Sequence, residues 1–181
     1  GPEMRSTGEV MGVGRTFGEA LFKSQLAAGG TLPPKGTVFL SVKDGDKPRT
    51  VEVARLLADM GYTLVGTRGT AAAVEAAGIP IKVVNKVKDG RPHVVDLIKN
   101  GNIDLVSTTV PESRAQIADS RSIRTTALAQ RVTYATTIAG GRAALEGMKH
   151  LYRIEVYALQ GLPRSLAVCL LFSFLHPAHE A

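Results

Sequence analysis

Short apolar segments alternate with helical patterns between residue 37 and residue 150 of the chain. The apolar segments are bounded by turn residues and are too short for helices, so they are predicted to be strands. The predicted strands are residues 37–42, 62–66, 81–84, 103–107 and 133–137. Strands that alternate with helices over short loops indicate an α/β domain with three layers. We expect a mostly parallel, five-stranded sheet with helices on both faces.

The segments between the strands have the periodicity of amphipathic helices. Val53, Leu56, Leu57 and Met60 fall on one face of a helix for which Asp46 is a suitable N-cap. In the same way Asp119 or Ser120 is predicted to cap a helix. The predicted helices comprise this first helix up to residue 60, an alanine-rich helix ending at residue 78, and helices 94–99, 119–131 and 140–150.

The two ends of the chain differ from this pattern. Residues 1–30 contain a predicted helix from Thr16 to Ala28, and residues 31–36 are a linker rich in Pro and Gly. A last strand is predicted at residues 154–159, so the α/β domain would extend over residues 37–162. Residues 163–181 form an apolar tail without amphipathic period, which is either a carboxy-terminal extension or sequence foreign to the domain.

The charge of the chain favours an anionic partner. The 181 residues include 22 Lys and Arg against 16 Asp and Glu, a net charge of +6. Nucleic acid is not expected, because the basic residues are dispersed and aromatic residues for base stacking are few. The single cysteine, Cys169, indicates an intracellular and hence cytoplasmic protein. We predict neither a metal site nor a membrane span, because Cys and His are scattered and the longest apolar run is short.

Hydroxyl and cationic side chains follow four of the predicted strands. The carboxyl ends of parallel strands meet at one edge of a sheet, where open α/β sheets bind ligands. Lysines, threonine hydroxyls and the N–H groups of a helix start would together hold a phosphate. Taken singly, each threonine could instead cap a helix and each lysine could be a solvated surface charge. The residues at the four ends are Ser41, Lys43 and Lys47; Thr67, Arg68, Gly69 and Thr70; Asn85, Lys86 and Lys88; and Ser107, Thr108 and Thr109.

Catalytic chemistry has little support in the sequence. No serine lies in a G-x-S-x-G turn, and Cys169 lies in the apolar tail. Asp89 and Asp96 flank His93, but the intervening Gly and Pro favour an interpretation as loop capping. We therefore predict no catalytic residue.

Several segments resemble one family, the large subunits of carbamoyl-phosphate synthase. Residues 1–14 resemble the end of the second ATP-grasp unit of those subunits, and five later segments resemble their carboxy-terminal allosteric domain, which has the methylglyoxal synthase-like fold. The five segments are Phe39–Lys47, Gly66–Thr70, Val84–Val87, Asp89–His93 and Asp119–Arg124.

The resemblance implies a regulatory module that binds nucleoside monophosphates, with UMP as inhibitor and IMP as activator. Ser107 stands where bacterial relatives carry Asn, which leaves the effector preference open. Tyr134 and Thr136 match positions that contact ornithine, a second activator. The predicted nucleotide ligands are the six that the resemblance implies, with Gly69 in the same turn and Ser107 at the position of the Asn: Ser41, Lys47, Thr67, Thr70, Lys86 and Thr109.

The resemblance also implies a larger parent enzyme. That enzyme would make carbamoyl phosphate from glutamine, bicarbonate and ATP with Mg or Mn, for pyrimidine and arginine biosynthesis. Its partners would be the rest of the large subunit, the glutaminase small subunit and further copies of itself, in the cytoplasm or a plastid. The fragment itself would need no cofactor and would not catalyse this reaction.

Two alternatives stay open. A methylglyoxal synthase-like lyase would use an aspartate in a Gly-Gly-Asp-Gln context, and Asp89 is the nearby candidate although that motif is missing. The other alternative is an oligomerisation module with a degenerate nucleotide pocket.

Overall fold

The computed structural model describes residues 9–27, 35–109, 114–148, 155–158 and 165–170. The strands in these ranges are β1 (Glu9–Gly14), β2 (Thr37–Ser41), β3 (Thr63–Gly66), β4 (Lys82–Val83), β5 (Leu105–Thr108), β6 (Thr133–Ala135) and β7 (Ser165–Leu170). The helices are α1 (Phe17–Ala27), α2 (Lys47–Asp59), α3 (Arg68–Ala76), α4 (Val94–Lys99), α5 (Arg114–Ala129) and α6 (Ile138–Met148). Two units result, residues 31–145 and residues 1–30 together with 146–181. The predicted end of the α/β domain, residue 162, therefore lies beyond the boundary between the two units, which falls between residues 145 and 146.

A five-stranded sheet forms the centre of residues 31–145. Its strand order is β4-β3-β2-β5-β6, and every neighbouring pair is parallel. Helix α2 packs against α3 and α4 against α5, with helices on both faces as right-handed crossovers require. The predicted α/β class and parallel sheet are confirmed. All five predicted strands of this unit are present, with ends that shift by one or two residues.

The strand order reverses between β2 and β5. From β2 the chain moves outward to β3 and β4, and it then returns to the other side of β2 to form β5 and β6. Thr109 N donates to Ser41 O across this point (3.2 Å), where the two strands end side by side. Such a reversal leaves a crevice at the carboxyl ends of the two central strands.

Apolar side chains fill the space between the sheet and the pair α4 and α5. The central strands are buried on both faces, so they appear in the sequence as continuous apolar runs. Val38, Phe39 and Leu40 of β2 are all inaccessible to solvent. The buried cluster comprises Phe39, Val65, Val94, Val95, Ile98, Ile103, Val106, Ile123 and Ala127.

Two sequence predictions about elements are wrong. Helix α5 begins at Arg114, five residues before the predicted cap at Asp119. Residues 114–118 are mostly good helix formers without Pro or Gly, so the helix continues toward its amino end past the polar pair. Of the last predicted strand, the described residues 155–158 are not in a strand. Instead Glu155 O accepts a hydrogen bond from Lys23 of α1 (2.6 Å).

The smaller unit contains a strand pair that the sequence analysis did not predict. Strands β1 and β7 are antiparallel, in a register that runs from Glu9 opposite Leu170 to Gly14 opposite Ser165. Helix α1 packs so closely on β1 that a Cβ atom at Gly12 would collide with the carbonyl oxygen of Ala20. Residues 165–170 of the predicted tail thus belong to a sheet. The tail's origin stays open.

Several sequence predictions fall outside the described residues. They concern residues 1–8 of the proposed ATP-grasp end, most of the linker, and residues 171–181 of the tail. Within the described ranges, no helix is both long and apolar enough to cross a membrane. The same ranges hold no cluster of three or more His, Cys, Asp or Glu side chains suited to a metal ion.

Candidate functional site

A cavity of about 580 Å³ lies at the carboxyl ends of the sheet strands, at the reversal between β2 and β5. Its volume is within the usual range for small-molecule sites. The structure brings together seven of the eight side chains or glycines predicted to bind an effector there, and their binding role stays a prediction. These are Ser41, Lys47, Thr67, Gly69, Thr70, Lys86 and Thr109.

A chain of hydroxyl groups forms one wall of the cavity. Thr67 Oγ1 lies 3.3 Å from Ser41 Oγ and donates to Thr70 Oγ1 at 3.3 Å. Thr70 Oγ1 also accepts from the backbone N–H of Val42 (3.1 Å), so both of its acceptor positions are used. The hydroxyl proton of Thr70 is then directed to another acceptor. This arrangement presents a hydrogen-bond donor rather than an acceptor at the wall.

A second hydroxyl is set up in the same way across the strand reversal. Thr109 Oγ1 accepts from the backbone N–H of Lys43 (3.0 Å), and Thr109 is 9% exposed. An oxygen that already accepts from a backbone N–H can still donate its own proton. Thr70 and Thr109 therefore both offer donors to the cavity, which suits an anionic ligand.

The amino end of α3 adds backbone donors. Thr67 is its N-cap with extended backbone (φ −65°, ψ 151°), and its hydroxyl makes no capping bond to the helix. The first N–H groups of a helix lack intrahelical partners and carry partial positive charge. Gly69 lies in this first turn, and a Cβ atom there would be 3.6 Å from Lys47 Nζ. The helix start and the ammonium group are thus adjacent at one end of the cavity.

Three lysines supply the positive charge of the cavity, Lys43, Lys47 and Lys86, and an aspartate partly offsets it. Lys47 Nζ lies 2.7 Å from Asp44 Oδ1. The hydrogen bond and charge of Lys47, with the charge of Lys86, hold the pKa of Asp44 below its ordinary value against a smaller effect of desolvation. Lys86, Asp44 and Lys47 all line the cavity. The carboxylate therefore interacts with two of the three cations that line the cavity.

Asp119 and Ser120 of α5 also line the cavity, together with the apolar side chains of Val94 and Ile123. Sequence reasoning treated the polar pair as a helix cap and missed this role. Asp119 Oδ2 is buried without a hydrogen-bond partner among the described residues. The available signal was spacing, because Asp119 lies four residues before Ile123 and eight before Ala127, both on the buried stripe of α5.

Ser107 is not among the residues that line the cavity. Side chains alternate along a strand, so Ser107 faces away from the side occupied by Val106 and Thr108. Its hydroxyl is buried without a hydrogen-bond partner in the described ranges, and a Cβ atom at Gly141 of α6 would lie 3.4 Å from it. Ser107 therefore lies beneath α6, where direct contact with a ligand in the cavity would need a rearrangement.

The two positions matched to ornithine lie on or just after β6. Tyr134 is half-buried, and its hydroxyl is hydrogen-bonded to Thr108 Oγ1 on the adjacent strand. Thr136 is exposed. Their contact with ornithine stays a prediction.

His93 and Asp96 act at the start of α4. His93 Nδ1 accepts from Asp96 N (3.4 Å) and Asp96 Oδ2 accepts from His93 N (3.1 Å), a reciprocal capping box. This confirms the interpretation of His93 and Asp96 as loop capping. Asp89 is exposed and does not line the cavity.

The fold and sheet edge define the class of the protein. A family model described as MGS-like domain matches residues 49–136 of the chain. A crystal structure of methylglyoxal synthase from Elizabethkingia anophelis NUHP1 has the same fold, with TM-score 0.51 and 18% identity over 80% of this chain and 93% of that one.

The more specific resemblance is to carbamoyl phosphate synthase large chains. The chain is 75% identical over 166 residues to that of Ralstonia nicotianae, and 51% identical to that of Xanthomonas campestris pv. campestris. Each alignment covers 92% of this chain and 15% of the relative, so the chain spans about a seventh of their length. The resemblance to the MGS-like domain of carbamoyl phosphate synthase large chains is confirmed.

Proposed function

We propose that the cavity binds the phosphate of a nucleoside monophosphate of the UMP or IMP type. The observation that supports this most is the convergence of Lys47, Lys86 and the donor hydroxyls of Thr70 and Thr109 with the amino end of α3. A phosphate offers acceptors and negative charge to all of them, and charge-assisted hydrogen bonds are the stronger ones. Ser41 and Thr67 also line the cavity, and the hydroxyl of Thr67 orients that of Thr70 by donating to it.

The remaining lining residues of the cavity suit the nucleoside. The partnerless Asp119 Oδ2 would accept a hydrogen bond from a ribose hydroxyl, with Ser120 beside it. Val94 and Ile123 offer apolar surface for a base. A nucleoside monophosphate carries a phosphate, ribose hydroxyls and a base, and the lining residues offer a partner to each of these groups.

On this proposal the domain regulates a carbamoyl phosphate synthase. The parent enzyme would make carbamoyl phosphate from glutamine, bicarbonate and ATP with Mg or Mn, partnered by a glutaminase small subunit. A nucleotide that binds one arrangement of the large chain more tightly shifts the enzyme toward it, and a coupling of about 1–3 kcal/mol would suffice. Tyr134 and Thr136 would contribute to an ornithine site. The residues described above supply the binding part of this mechanism.

Isothermal titration of the 181-residue chain with UMP, IMP and uridine tests the proposal. We expect saturable binding of at least one nucleotide at millimolar concentrations or below, and binding of uridine at least about tenfold weaker, because it lacks the phosphate. Absence of heat with both nucleotides would favour an oligomerisation module. Turnover of dihydroxyacetone phosphate would favour the lyase alternative.

A further inference from the structure

An acidic side chain accompanies the cations of the cavity. Asp44 Oδ1 lies 2.7 Å from Lys47 Nζ, and the two side chains differ in exposure, with 95% for Asp44 and 28% for Lys47. The ammonium group is therefore part of the cavity wall, whereas the carboxylate approaches it from solvent. Because the charge of Lys86 also acts on Asp44, this carboxylate interacts with both cations proposed to bind phosphate.

The turn that carries Asp44 is fixed at its two ends. Lys43 N donates to Thr109 Oγ1 (3.0 Å), and Thr50 Oγ1 donates to Asp46 O (2.8 Å). Between these anchors, a Cβ atom at Gly45 would meet no heavy atom within 4 Å. The side chain of Asp44 is itself 95% exposed, so it can leave Lys47 without moving the backbone of the turn.

We propose that Asp44 is an internal competitor of the ligand. Its carboxylate pairs with Lys47 in the free protein, and an incoming phosphate displaces it. This inference rests on the proposed function and deepens it, since it concerns how tightly the same site holds its ligand. Exposed ion pairs are weak, so the competition lowers affinity by about two- to fivefold without closing the site.

The test compares two aspartates of one turn by titration with UMP. Asp44→Asn keeps the size of the side chain and removes its charge, and it should tighten UMP binding by about two- to fivefold at low ionic strength. The gain should shrink at about 0.2 M salt, where charges are screened. Asp46→Asn is the matched control, because it makes the same change in net charge at a residue that does not line the cavity. Its affinity for UMP should equal that of the wild type.

Each outcome decides the matter. Weaker binding by Asp44→Asn would mean that Asp44 positions Lys47, and equal gains in both variants would mean a general charge effect; either result overturns the inference while the proposed function stands. If Asp44→Asn binds UMP and the wild type and Asp46→Asn do not, the inference is supported. Absence of binding by the wild type and both variants would overturn the proposed function, and the inference with it.

Discussion

The hydroxyl of Tyr134 is hydrogen-bonded to Thr108 Oγ1, across the parallel pair β5 and β6. Thr108 is 5% exposed and lines the cavity, whereas Tyr134 is a residue proposed to contact ornithine. One hydrogen bond therefore joins the two proposed ligand sites within the same sheet. A change in the position of either side chain acts directly on the other.

The substitution Tyr134→Phe removes this bond and leaves the buried Thr108 hydroxyl without that partner. We expect a loss of about 1 kcal/mol in the free energy of unfolding, measured by urea titration, and weaker UMP binding by calorimetry. Thr136→Val changes an exposed neighbour and should alter unfolding by less than about 0.5 kcal/mol. Unchanged stability and affinity in Tyr134→Phe would show that the bond contributes to neither.

Lys86→Ala tests the position of the phosphate. Removal of a cation from the cavity wall should weaken UMP binding at least about tenfold, which corresponds to about 1.4 kcal/mol. Lys88→Ala is its control, because Lys88 is exposed two residues away and does not line the cavity. Titration calorimetry on both variants gives the comparison. Equal effects of the two substitutions would mean that the phosphate binds elsewhere.

Much of this site could be predicted from sequence because parallel strands end at a common edge. Ser41 and Thr67 are 26 positions apart in the chain, yet their hydroxyl oxygens lie 3.3 Å from each other. Thr109 comes from a third segment, and its backbone N–H donates to Ser41 O (3.2 Å). The rule about strand ends needs only the order of elements and their polar boundary residues, and both are local features of the sequence.

The surroundings of Ser107 and Asp119 depend on geometry finer than this rule. Ser107 lies one residue before the carboxyl end of β5. Because side chains alternate along a strand, it is on the face opposite Thr108. Asp119 was assigned to a helix end because polar residues favour caps, whereas the helix starts five residues earlier. Because the helix begins five residues earlier than predicted, Asp119 lies within α5 and lines the cavity.

The pairing of β1 with β7 illustrates a different limit. The partners are separated by most of the chain, and the apolar run at residues 165–170 has no alternation that would identify a strand. Pairing between distant segments is determined by the tertiary fold, and local patterns carry little information about it.

The substitution Gly69→Ala should raise the free energy of unfolding and at the same time weaken UMP binding. The added methyl group would lie 3.6 Å from Lys47 Nζ, an ordinary contact, so the fold accepts it. Alanine favours helix over glycine, and we expect a gain of about 0.5 kcal/mol in unfolding free energy. The same methyl group lies where a phosphate would approach the start of α3, so UMP binding should weaken. Thermal unfolding with and without UMP measures both effects, and unchanged affinity would contradict the close approach.

Glu19 is the centre of a buried network in the smaller unit. Its Oε1 accepts from Lys23 Nζ (2.8 Å) and from the Tyr157 hydroxyl (2.7 Å), and its Oε2 accepts from Arg15 N (2.8 Å). Burial alone would raise the pKa of Glu19, but these hydrogen bonds and the charge of Lys23 outweigh it and lower the pKa from 4.5 to about 2.

This shift predicts a pH dependence of stability. A carboxyl whose pKa is lower in the folded state stabilises that state fully above about pH 4.5, and the contribution is lost as the pH falls toward about 2. Relative to Glu19→Gln, the wild type should have a free energy of unfolding higher by about 1–2 kcal/mol at pH 6. This advantage should fall steadily below about pH 4.5 and be lost as the pH falls through about 2. Urea unfolding followed by NMR signals of α1 measures the difference. Glu155→Gln, at a 60% exposed side chain, should show a small difference at every pH. A constant advantage over Glu19→Gln would mean that the charge of Glu19 does not stabilise this unit.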